Sequence, residues 1–143
     1  MKLNVPNGIG RMIFGLIALS VILSGSLYKS HQKQVWQTEF RSVEHSIFSL
    51  RDRPPRGCSK QNWNNAVDRV WAGFANACHD PSTNSADSIH LLKNDIQDLI
   101  RTKDINSNLL RQIWKRIGET SSPAKRLIAN HSVDFEDYVA CCE

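Results

Sequence analysis

Residues 11–28 read RMIFGLIALSVILSGSLY, and no other feature limits as sharply what this chain can fold into. From Met12 to Leu23 only Gly15 and Ser20 interrupt the apolar run, and Lys2 and Arg11 precede it. A positive leader followed by an apolar run satisfies the first two requirements of a secretory signal. It also suits a membrane anchor, which needs roughly 17 to 25 residues to cross the hydrocarbon. Ile9 to Tyr28 provides 20 positions if Arg11 snorkels toward the headgroups. Tyr28 then falls where interfacial aromatics are common. Ser24-Gly25-Ser26 supplies small residues for cleavage, but two serines make a weaker site than Ala-x-Ala. The expectation taken is an anchor that stays, with a signal peptide over 1–26 as the alternative.

The sequence beyond the run favours the anchor. Trp36, Phe40, Val43, Ile47 and Leu50 step by 4, 3, 4 and 3, a heptad seam over two repeats. No proline lies between residues 9 and 53, so one helix can pass from the bilayer into an amphipathic continuation. The seam can pack on its own domain or mediate self-association beside the membrane, since two heptads are fewer than a persuasive coiled coil needs. Placement near the N-terminus favours N-in topology, with residues 29–143 extracytoplasmic, although Lys29, Lys33 and Arg41 nearly balance the positive-inside count.

Arg51 to Ser59, RDRPPRGCS, stops the first helix, because each proline lacks a donor and biases its predecessor away from helix. Trp63, Val67, Val70, Trp71, Phe74, Ala77 and Cys78 then share one helical face, and Asp80-Pro81 ends it. Ile89, Leu92, Ile96, Leu99 and Ile100 mark the next helix. Asn106 or Ser107 can cap another, with Leu110, Ile113, Trp114 and Ile117 inward and Gly118 as its stop. Ser122-Pro123 opens a short fifth through Leu127 and Ile128. No stretch alternates at period 2. The expected fold is all-α: an N-terminal transmembrane helix continuing into an amphipathic helix, then a bundle of about four helices. Its expected divisions are a tail over 1–11, an anchor over 12–28, a juxtamembrane helix over 29–53 and a helical ectodomain over 54–143.

Charge excludes little but points away from nucleic acid. The 143 residues carry a net +4; without Lys2 and Arg11 the balance is 16 basic against 14 acidic residues. Arg51, Arg53, Arg56 and Lys60, and then Arg111, Lys115, Arg116, Lys125 and Arg126, are mild concentrations, and Val133–Glu143 holds four acids and no base. These suit solvated helix faces and an acidic end rather than the basic stripe of a nucleic-acid binder. A sharper reading is a basic face meeting an anionic lipid or wall polymer.

Cys58, Cys78, Cys141 and Cys142 all follow the apolar run, and in an extracytoplasmic region four cysteines suggest two disulfides. A bond between the adjacent Cys141 and Cys142 would strain their peptide, so each is expected to reach Cys58 or Cys78. Zinc ligation by these cysteines and His79 lacks C-x-x-C or H-x-x-x-H spacing. Cys78 beside His79 does not read as an activated thiol, because helix neighbours point in different directions. There is no G-x-S-x-G, phosphate loop, H-E-x-x-H or EF-hand loop. No catalytic, cofactor-binding or metal residues are assigned, and an extracytoplasmic thiol enzyme is the least favoured reading. Asn130-His131-Ser132 matches a glycosylation acceptor, which matters only in a glycosylating lumen.

Arg53-Pro54-Pro55, Trp63-x-x-Ala66-Val67, Asn76-x-Cys78, Pro81, the leucine- and acid-bearing helix and Ile113-Trp114 together resemble small, uncharacterised, single-pass anchored bacterial proteins with a short helical ectodomain. The similarity spans roughly residues 10 to 130 and omits Cys141-Cys142. It implies attachment to the lipid bilayer and brings no activity with it. The expected function is protein interaction or structural support by the ectodomain; the alternative is a secreted, disulfide-stapled helical protein.

Overall fold

The structure, a computed structural model, describes residues 7–143, with side chains from Met12 onward apart from Phe14. Residues 1–6 of the expected tail lie outside the described residues. Those described form six helices and no strand, an all-α fold. These are α1 (Asn7–Phe48), α2 (Lys60–Cys78), α3 (Ala86–Thr102), α4 (Ser107–Gly118), α5 (Ser122–Asn130) and α6 (Ser132–Ala140). The chain divides into two compact units, one ending at Gln34 and the other Val35–Glu143.

The first unit is the N-terminal part of α1. Its large apolar side chains, including Met12, Leu16, Leu19, Ile22 and Leu27, are 51% to 74% exposed and point to every side of the helix. The hydroxyls within it are satisfied locally: Ser20 Oγ donates to the Ile17 carbonyl and Ser24 Oγ to that of Ser20, both at 2.8 Å. Among the described residues no helix is long and apolar enough to cross a membrane. A transmembrane helix over 12–28 is therefore not established by the fold, and Phe14 within it has no described side chain.

The second unit is a helical domain around α2. Val43 and Ile47 from the end of α1, and Leu50 in the turn that follows, are fully buried with the inward faces of α2, α3, α4 and α6. The helix starts follow capping chemistry. Ser59, Ser85, Asn106 and Ser121 each accept from the backbone N–H three residues on, worth roughly 1 kcal/mol apiece. Pro123 sits in the first turn of α5, where its missing donor costs nothing. Gly57, at φ +88°, makes the left-handed turn into Cys58 that other residues rarely adopt.

α2 packs against α4, α5 and α6, and α3 packs on α4. At the α2–α4 crossing a Cβ on Gly73 would lie 2.2 Å from Trp114 Cζ3, so only glycine lets the indole lie this close to the α2 backbone. The other face of the crossing is set by Trp114 and Phe135, stacked with centroids 4.3 Å apart. Phe40 meets Phe74 at 4.5 Å and so ties α1 to α2.

Helix α6 is an addition to the expected bundle. Phe135, Val139 and Cys142 step by 4 and 3; the first two are buried and the third is packed against the core. Acidic residues beside them anchor the tail: Arg69 meets Asp134 at 3.2 Å, and Arg111 meets Glu136 at 2.9 Å.

Candidate functional site

The seam residues belong to the core of the helical domain. Val43, Ile47 and Leu50 are inaccessible, and Trp36 and Phe40 pack against them as partly buried neighbours. Three indoles lock this end of α1 in place. Trp36 Nε1 donates to the Asn84 carbonyl at 2.9 Å, Trp63 Nε1 to the Leu50 carbonyl at 2.6 Å, and Trp71 Nε1 to Glu44 Oε1 at 2.8 Å. Glu39 adds an ion pair to α3, with Oε2 2.7 Å from Lys93 Nζ and 3.3 Å from His90 Nδ1. The Lys93 ammonium holds the Glu39 carboxyl below the usual carboxylate range, with help from His90 and against a partial loss of hydration.

The cysteines divide differently from the expectation of two bridges. Cys58 and Cys142 are joined, closing 84 residues of chain, whereas Cys78 and Cys141 carry free thiols. The reason is distance. Cys58 precedes α2 and Cys78 ends it, and a 19-residue helix separates the two by about 28 Å. The tail returns to the start of α2, within reach of Cys58 alone. Cys78 is buried, with Sγ 3.5 Å from Thr120 Oγ1, and burial pushes its thiol up to about 11. His79 is exposed and its Nδ1 lies 2.8 Å from the Asn76 carbonyl, so the ring is held to its own helix end. Among the described residues no three His, Cys, Asp or Glu side chains are grouped to hold a metal ion.

Most of the expected basic concentrations are internally paired. Arg51 meets Asp68, Lys60 meets Asp52, and Arg116 meets Glu119, at 3.2, 3.1 and 3.1 Å. Arg111 spans Glu136 and Glu143, which hold its guanidinium more firmly protonated than usual. Lys125 is exposed and has no acid partner among the described residues.

A groove of about 760 Å³ lies between α4 and α5, and the sequence did not announce it. Trp114, Gly118, Ile128 and Ala129 supply its apolar surface; Lys115, Glu119, Ser121, Ser122, Lys125 and Ser132 line the rest. At its base Gly118 lets α4 lie close to α5, since a Cβ there would press on Ile128 Cγ2 at 3.2 Å. Trp114 is 6% exposed and its Nε1 has no acceptor, unlike the other three indoles. The sequence placed Trp114 on an inward face, but no periodicity shows whether its N–H finds a partner. No family model, curated protein or solved structure matches the chain.

Proposed function

We propose that this is a single-pass membrane protein, N-terminus inside, whose helical domain acts outside the cytoplasm by binding or as structural support. The observation that carries the reading is the set of exposed large apolar side chains on α1 between Met12 and Tyr28, which are spread around the helix. A helix apolar on all sides is stable only when protein or lipid covers it. Its serine hydroxyls already bond to helix carbonyls, as a lipid environment requires. The Cys58–Cys142 bridge supports an oxidising location for the domain.

Flotation with phospholipid vesicles tests the attachment. The full chain is expected to stay with the vesicles in high salt and at alkaline pH. Leu16→Arg with Leu19→Arg places two charges mid-stretch, at roughly 3 kcal/mol each in a bilayer, and is expected to abolish this retention. Release of the unaltered chain by salt alone would contradict insertion.

A further inference from the structure

We infer that Lys29 and Lys33, on the exposed turns of α1 after the apolar stretch, bind anionic phospholipid headgroups. The inference rests on the membrane reading above and adds the class of lipid. Its first support is how charge is divided along the chain. All 14 acidic residues lie in Val35–Glu143 together with 14 of the 18 basic ones, so the helical domain is formally neutral. The net +4 belongs entirely to the other unit, as Lys2, Arg11, Lys29 and Lys33, with no acid before Glu39.

The second support is pairing. In the domain Arg51, Lys60, Arg69, Arg111 and Arg116 meet acids at 2.9 to 3.2 Å. Lys29 and Lys33 are exposed and have no acid partner among the described residues. Four residues apart, they share one side of the helix about 6 Å apart along its axis. Like charges at that spacing repel, and a phosphate lying between them turns the repulsion into two charge-assisted hydrogen bonds. The third support is height. With the apolar stretch to Tyr28 in hydrocarbon, residues 29–34 rise roughly 9 Å further, against roughly 5–8 Å for the headgroup layer of one leaflet. Every one of them is exposed. Charge complementarity then selects the lipid: a phosphatidylglycerol headgroup offers an uncompensated anion, whereas phosphatidylcholine presents its own cation beside the phosphate.

The test uses the full chain, its lysines carried as ¹³C-dimethyl-lysine so that their charge is kept, in nanodiscs of phosphatidylcholine with a rising share of phosphatidylglycerol. The two signals are identified by their loss in Lys29→Arg and Lys33→Arg. Both are expected to shift saturably as the anionic share rises and to return in high salt, with Lys60 and Lys125 of the domain unmoved. From an equimolar mixture of the two lipids, phosphatidylglycerol is expected to copurify with the chain at about twofold enrichment or more. Lys29→Gln with Lys33→Gln should lower that enrichment by about half or more, since it removes two of the unit's four bases. Lys125→Gln with Arg126→Gln removes the same charge from exposed positions of α5 and should leave it unchanged. The inference is overturned if the Lys29 and Lys33 signals ignore phosphatidylglycerol, as they would if the pair faced an acidic protein instead, or if the two double variants retain the lipid alike. A chain that phosphatidylcholine vesicles release at alkaline pH fails the membrane reading and this inference with it. A chain they retain confines any failure to the class of lipid.

Discussion

At the scale of single residues, Glu39 and the free cysteines carry measurable consequences. Glu39 and Lys93 are each 17% exposed, so their 2.7 Å pair is only partly screened. The carboxyl is held below its ordinary value of 4.5, so the folded protein binds that proton less readily than the unfolded chain. The pair's contribution is therefore complete above about pH 4.5 and lost as pH falls through the lower folded value. Glu39→Gln is expected to lower stability by about 1 kcal/mol at pH 7. In urea unfolding, the variant and the original should converge as pH falls through that lowered value. The thiols differ in the other direction. Cys78 is buried and stays protonated at neutral pH, while Cys141 is exposed. Iodoacetamide should modify Cys141 in the native protein and reach Cys78 only in denaturant, which mass spectrometry of the alkylated peptides can check.

Among the elements, the α2–α4 crossing depends most on one residue. Gly73→Ala would raise the helix propensity of α2 by roughly 1 kcal/mol, yet its methyl would fall 2.2 Å from a rigid indole. That indole cannot retreat, because its face is stacked on Phe135. Overpacking of this kind costs about 1–3 kcal/mol, so the substitution is expected to lower the denaturant midpoint. Helices α2 to α5 were legible because each has both an inward stripe and a capping residue before it, such as Ser59 before α2. Helix α6 lacks the second signal: His131 at its start makes no side-chain capping bond. Its stripe of Phe135, Val139 and Cys142 also sits among acids that read as a solvated end. Those acids acquire their role only when α4 and α2 bring Arg111 and Arg69 beside them.

For the whole molecule, the Cys58–Cys142 bridge joins the start of α2 to the last turn of the chain. Closing 84 residues restricts the unfolded chain by about 4 to 5 kcal/mol in the loop-entropy account. Cys58→Ser with Cys142→Ser should therefore lower unfolding free energy by several kcal/mol, read as a drop in thermal midpoint. The pairing was not legible from residue spacing, since it depends on which end of α2 the tail returns to. The α4–α5 groove was hidden for a related reason: it depends on how two short helices come together. The apolar stretch of α1, by contrast, was plain in the sequence, and its side chains remain uncovered along the helix. The most direct test of the account is the intact, unreduced mass of the chain recovered from alkaline-washed membranes of cells that make it. The account predicts that the chain stays with the membranes, keeps residues 12–28, and gains two hydrogens on reduction. A soluble chain lacking about its first 26 residues, the cleaved-signal alternative, would contradict it.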